Sequence, residues 1–170
     1  HIPVAEIGRS LAEIAIEPEQ ADTFVERHQT LHSVFEYSWR LLNPPQQQIL
    51  ARFSAFRGGF DRTAASAVAG STLSDLSMLL AHSLVQRVTA GRYDLHPLVQ
   101  EYSAGKVTQS QTPALFAAHS QYYLTLLISQ ARAKRTALLL DFDNIRSAWQ
   151  RAVQGAHVEM VEQATLPFGE

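Results

Sequence analysis

Along most of the chain, apolar residues recur at intervals of three and four, the spacing of amphipathic helices. Val4, Ile7, Leu11 and Ile14 predict a short helix from Pro3 to Ile16, and a polar connector with Pro18 follows over 17–29. Leu31, Val34, Phe35, Ser38, Trp39 and Leu42 form a stripe that stops at Asn43. In "NPPQQQIL", Asn43 can cap a second helix, Pro44 suits its first position and Gln46 completes a capping box. Ile49, Leu50, Phe53 and Phe56 supply its buried face, until Gly58 and Gly59 of "RGGF" break it. Asp61 caps a third, Ala-rich helix that ends at Gly70. Thr72, with Asp75 three residues on, opens a fourth, with Leu73, Leu76, Leu79 and Leu80 inward.

The period changes to two in "LVQRV" and "RYDL". Thr89-Ala90-Gly91 between them reads as a three-residue hairpin connection, with Gly91 in the left-handed conformation. Leu98, Val99, Tyr102 and Val107 return to helical spacing. Helices, a hairpin wing and a closing helix make a winged-helix pattern. After the polar "TQSQT" linker comes a helix from Pro113 to Lys134, with Leu115, Tyr122 and Leu126 packed inward. Another places Leu138, Phe142, Ile145, Trp149 and Ala152 on one stripe and ends at Gly155; a last one begins near Val158. Antiparallel pairs of this kind start helical repeat arrays. The expected fold is therefore mainly α: a winged-helix domain with one short β-hairpin, followed by an antiparallel, TPR-like helical segment. The expected domains are a terminal helix and connector from a preceding nucleotide-binding module (1–29), the winged helix (30–107), and the linker and start of a helical sensor domain (108–170).

Composition narrows the chemistry. The 170 residues are 46% hydrophobic and 18% charged, as in a soluble globular protein, and a net charge of -2 gives no global attraction to nucleic acid or anionic lipid. Without cysteine there is no disulfide, thiolate metal site or cysteine nucleophile. No apolar run reaches membrane-span length and no signal-peptide pattern opens the chain, so a cytoplasmic location is expected. The start at His1 suggests a piece of something longer.

The run "RHQTLHSVFEYSWRLLNPPQQQILARFSAFRGGFDRTAASAVAG" resembles the winged-helix region of STAND-class signalling NTPases. These include bacterial multidomain transcriptional regulators, plant NB-ARC resistance proteins and animal apoptosome ATPases. The most specific blocks are "SWRLL", "FRGGF", "AHSLVQR" and "GRYDLHPLVQEYSAGKV"; "LDFDNIRSAWQRAV" resembles the first helices of the sensor domain that follows. The likeness covers about residues 27–153. It implies a regulatory fragment, in which the winged helix closes over ADP on a P-loop domain of the same protein and relays the switch to the helical sensor. ADP or ATP with Mg would be bound in the longer protein, and a protein or small-molecule inducer would act through the helical domain. The chain has no G-x-x-x-x-G-K-[ST] and no Walker B strand, so it should not be an enzyme by itself.

In NB-ARC relatives a Met-His-Asp motif ends the wing, and its His reaches the β-phosphate of ADP. Leu95, His96 and Pro97 stand at those positions, so the resemblance makes His96 the candidate phosphate contact, with Pro97 in place of the acid. The place itself suits an anion, since an imidazole there sits beside a helix N-terminus. The plain alternative is that His96 only caps that helix. His28 and His32 are four apart, as metal ligands can be, but no third ligand lies nearby; His82, His119 and His157 have no evident partners. Asp141 and Asp143 flank a helix start, Arg57 could serve an interdomain contact, and Trp39 and Trp149 should be core residues.

Two other functions compete. A winged helix can bind DNA directly, but "TLSDLSMLLAHSL", at the position of the recognition helix, contains no Lys or Arg, and the wing adds only Arg87 and Arg92. Nucleic-acid and membrane partners are therefore not expected. The C-terminal helices could also form a protein-binding adaptor.

Overall fold

The computed structural model describes residues 33–130 and 138–154. The chain falls into two compact units, 1–37 and 38–170. Of the first, only residues 33–37 are described; the second holds the elements from Ser38 onward. The predicted helices at Pro3–Ile16 and Val158, the connector, His28, His32 and His157 lie outside the described residues.

Helix α1 (33–40) ends two residues before its stripe does, at Arg40 rather than Leu42. The amides of Leu41 and Leu42 turn back to the carbonyls of Ser38 and Trp39 at 3.3 and 3.1 Å. The Gln47 side chain donates to the carbonyls of Trp39 and Leu42 at 3.0 and 3.2 Å, so otherwise orphaned acceptors of the helix end are satisfied. Helix α2 (Pro44–Phe53) has the expected cap: Asn43 accepts from the Gln46 amide and Gln46 reaches back to the Asn43 amide. It stops before the glycines, at Phe53. The Ser54 hydroxyl donates to the Ala51 carbonyl at 2.6 Å, and the amides of Ala55 and Phe56 tighten to carbonyls three residues back. That early stop turns Phe56 inward, where its ring stacks on Phe60 with centroids 4.3 Å apart and Phe53 lies against both.

Phe60–Asp61 forms a short strand, β1, that two residues were too few to announce. Asp61 also caps α3 (Arg62–Ala69) through the Ala64 amide, and Gly70 closes it in the left-handed region at φ 73°. Thr72 and Asp75 form the expected capping box of α4 (Leu73–Ala81). Leu76 and Leu79 are buried, whereas Leu73, at the first helical position, is 55% exposed. Gly70-Ser71-Thr72 bends the chain by 104° between α3 and α4, the geometry of a helix-turn-helix.

The wing is β2 (Gln86–Thr89) and β3 (Arg92–Asp94), in an antiparallel sheet of order β1-β3-β2. Thr89 pairs with Arg92, so the hairpin loop is Ala90-Gly91 rather than three residues, with Gly91 at φ 78°; the extra residue is taken up by an irregularity between Arg87 and Thr89. Tyr93 and Leu95 are buried, as their alternation implies. Helix α5 (Pro97–Ala104) packs on α2 and places Tyr102 edge-on to Trp39, with centroids 5.8 Å apart. Trp39 is half-buried rather than in the core, as is Trp149.

Helices α6 (Thr112–Gln130) and α7 (Phe142–Gln154) run antiparallel: Phe116 meets Arg151, and His119 meets Asn144. Helix α6 also packs on α3, so the helical pair rests on the winged helix within one compact unit. The buried face of α7 is Asn144, Ile145, Ala148 and Ala152, while Phe142, placed on that stripe by its spacing, is 55% exposed. The fold is thus mainly helical with a small antiparallel sheet.

Candidate functional site

The outward face of α4 is the first candidate surface. Its exposed positions are Leu73, Ser74, Ser77, Met78 and Ala81, and its whole sequence, LSDLSMLLA, lacks a cation. On the wing, Arg87 lies at 6.0 Å from the centroid of the Tyr93 ring, and the neighbouring Val88 is 61% exposed. Arg92 points the other way, into the protein. A surface that binds DNA mainly through phosphates needs Lys or Arg facing outward, and this one offers little.

His96 is exposed and caps α5: its Nδ1 accepts from the Leu98 amide at 3.3 Å. The capping bond has a chemical consequence. With Nδ1 as acceptor, the neutral ring carries its proton on Nε2, which makes no hydrogen bond with the described residues and is free to donate outward. Capping and anion contact are therefore compatible in one tautomer.

A dense polar cluster lies elsewhere, where the RGGF loop, the wing and the start of α7 meet. Asn144 is 1% exposed and makes three hydrogen bonds: Oδ1 accepts from the Arg57 amide at 2.6 Å and pairs with His119 Nε2 at 3.3 Å, and Nδ2 donates to the Gly59 carbonyl at 3.0 Å. Arg151 donates from Nη1 to His119 Nδ1 at 3.1 Å. Because a guanidinium can only donate, His119 must be neutral with its proton on Nε2, facing Asn144 Oδ1. Its pKa agrees, pushed down from 6.5 to about 4 by burial first and the Arg151 charge second. Arg92, on β3, donates to the carbonyls of Gly59 and Leu140 at 2.6 and 2.8 Å and forms an ion pair with Asp141 at 2.9 Å. Both side chains of that pair are largely buried, 14% and 12% exposed. Gly59 has little room for anything larger, since an added Cβ would stand 3.1 Å from the Tyr93 carbonyl.

These contacts cross-link segments far apart in sequence through a loop, a strand and a helix start that would otherwise leave backbone groups unpaired. The chain is 30% identical over 156 residues to proteins from two strains of Mycobacterium tuberculosis and from Mycobacterium bovis, all provisionally named HTH-type transcriptional regulators. The match covers 79% of this chain but only 17% of those relatives. No protein-family model matches the chain, and no solved structure gives a significant match. The likeness is to a segment of transcriptional regulators.

The structure corrects the sequence expectations at three places in this cluster. His119 has partners after all, Asn144 and Arg151. Asp141 does more than flank a helix start, because it holds Arg92. Arg57 does reach α7, but through its backbone amide; its guanidinium folds back onto the carbonyls of Ser54 and Phe56 at 2.9 and 3.0 Å. The readable signal was the pair of specific blocks, "FRGGF" and "LDFDN", which the fold brings into direct contact. Among the described residues no cluster of His, Asp or Glu could hold a metal ion, and no single helix is long and apolar enough to cross a membrane.

Proposed function

We propose that the chain is the winged-helix relay of a multidomain transcriptional regulator, joining a switching module to a helical sensor rather than reading DNA itself. The observation that carries this reading is the contrast between two surfaces. The helix-turn-helix presents α4 without a cation, while the wing spends Arg92 on a buried ion pair with the helical segment. The names of the mycobacterial relatives support the regulatory role. Direct DNA binding remains the competing reading, and fluorescence anisotropy of the chain with duplex DNA separates the two. Only weak association that disappears on raising salt is expected. A sequence-specific complex of nanomolar affinity at physiological salt would overturn the relay reading.

In the finer form of this proposal, a P-loop domain of the longer protein binds ATP or ADP with Mg, and the Nε2 proton of His96 donates to an ADP phosphate. The exposed ring and its capped Nδ1 favour this form. His96→Ala is then expected to leave the folding of the present chain within about 1 kcal/mol of wild type, the range for an exposed cap. In the longer protein it should speed ADP release roughly tenfold or more, as loss of a charge-assisted hydrogen bond does. Equal release rates would reduce His96 to a cap.

A further inference from the structure

One peptide group in the RGGF loop, the unit that joins Phe56 to Arg57, is gripped from both sides. Its carbonyl accepts from the Gln100 side chain on α5 at 2.5 Å, and its N–H donates to Asn144 Oδ1 on α7 at 2.6 Å. A trans peptide is planar, so this carbonyl and N–H point in opposite directions from one rigid plate. Gln100, the plate and Asn144 therefore make two hydrogen bonds in series from α5 to α7. Each bond polarises the amide that makes the other, so the two strengthen each other. The Phe56 ring, 1% exposed and stacked on Phe60, anchors the plate in the core, and Arg57 Nη1 donates to the same carbonyl at 3.0 Å. Asn144 extends the series to His119 on α6 and to the Gly59 carbonyl. At the other end, the Gln100 amide donates to the His96 carbonyl at 3.0 Å, so Gln100 stands one turn after the residue that caps α5. Cap and grip belong to one eight-residue helix.

We propose that Gln100 is a positioning residue of the relay, carrying displacement of α5 through the Phe56–Arg57 peptide to Asn144 and the opening turn of α7. A tilt of α5 that draws Gln100 off the carbonyl lets the plate rotate and turns the Arg57 N–H out of line with Asn144. Hydrogen bonds weaken steeply off axis, so the grip on α7 loosens. Load applied at His96 reaches the helical segment by this route as well as by the Arg92–Asp141 pair of the wing. What the coupling serves rests on the relay reading; the coupling itself belongs to this chain and needs neither nucleotide nor DNA.

The test compares the present chain with Gln100→Met, which keeps the length of the side chain and removes its donor. The Phe56 carbonyl retains Arg57 Nη1, so the variant should fold. The Arg57 amide proton should shift upfield in NMR spectra as its bond to Asn144 weakens. The Arg57 amide and the opening turn of α7 should exchange with solvent about fivefold faster or more, while the amides of α3 and α4 keep their wild-type rates. In a double-mutant cycle with Asn144→Ala, the double variant should be destabilised less than the product of the two single effects, by a factor of about five or more. The exchange result decides alone where Asn144→Ala is too unstable to measure. Unchanged exchange at Arg57 and α7, acceleration spread evenly over α3 and α4 as well, or single effects that simply multiply would overturn the coupling.

Discussion

Asn144→Ala is expected to destabilise the chain by about 3 kcal/mol, a large effect for a single polar residue. The size reflects the groups the truncation abandons more than the bonds it removes. The Asn144 amide stands at 1% exposure between the Arg57 amide, the Gly59 carbonyl and His119. Alanine leaves the Arg57 amide and the Nε2 proton of His119 without a partner, and Gly59 with Arg92 alone. Asn144 and His119 are shielded from water, and each group left unsatisfied there carries its own desolvation penalty. Asn144→Asp gives an informative contrast. A carboxylate can still accept from the Arg57 amide and from His119, but it cannot donate to Gly59 and would repel that carbonyl. Both variants should unfold at lower urea than wild type. A loss below about 1 kcal/mol for Asn144→Ala would mean that the three bonds are incidental.

Acid should weaken the same junction through His119. In the unfolded chain its imidazole titrates near 6.5, whereas in the fold it is pushed down to about 4, by burial foremost, then by Arg151, with Arg57 adding and the Asn144 bond opposing. Between those values the unfolded chain binds more protons than the folded one, so stability rises with pH across this window. The contribution is fully present above pH 6.5 and is lost progressively as pH falls towards 4. The fall from 6.5 to about 4 corresponds to about 3 kcal/mol. Carboxylates also lose their interactions in acid, so the comparison that isolates the histidine is His119→Gln. Its amide can replace both ring nitrogens without titrating. Chemical unfolding at pH 7, 6, 5 and 4.5 should give a steep decline for wild type and a shallower one for the variant. Parallel profiles would show that His119 does not control the acid response.

Local chemistry explains which parts of this architecture were legible in the sequence. Caps are written in short spacings, so Asn43 with Gln46, Asp61, and Thr72 with Asp75 stand where their residue types place them. Gly70 and Gly91 likewise occupy left-handed turns that few other residues tolerate. The end of α2 was not legible, because Ser54 stops the helix by a side-chain bond to its own last turn, ahead of the more conspicuous glycines. The strand at Phe60–Asp61 exists only because β3 supplies a partner from more than thirty residues away, Phe60 facing Tyr93. Spacing also rotated α7 wrongly. An apolar count favours Phe142, but the orientation of the helix is set by Asn144, a polar residue that the RGGF loop requires to be inside. The candidate site divides in the same way. His96 could be picked out from its strand-to-helix position, while His119 and Arg151 acquire their roles only when α6 and α7 pair.

A relay of this kind requires the wing and the first turn of α7 to move as one element, held through Asn144 and the Arg92–Asp141 pair. Amide hydrogen exchange of wild type and Asn144→Ala, compared residue by residue under conditions where both remain folded, tests this most directly. The Arg57 amide should be protected in wild type and lose protection in the variant. The β1 and β3 amides around Phe60 and Tyr93 and the opening turn of α7 should accelerate together, by about tenfold or more. Acceleration confined to Arg57, with β3 and α7 unchanged, would contradict the account.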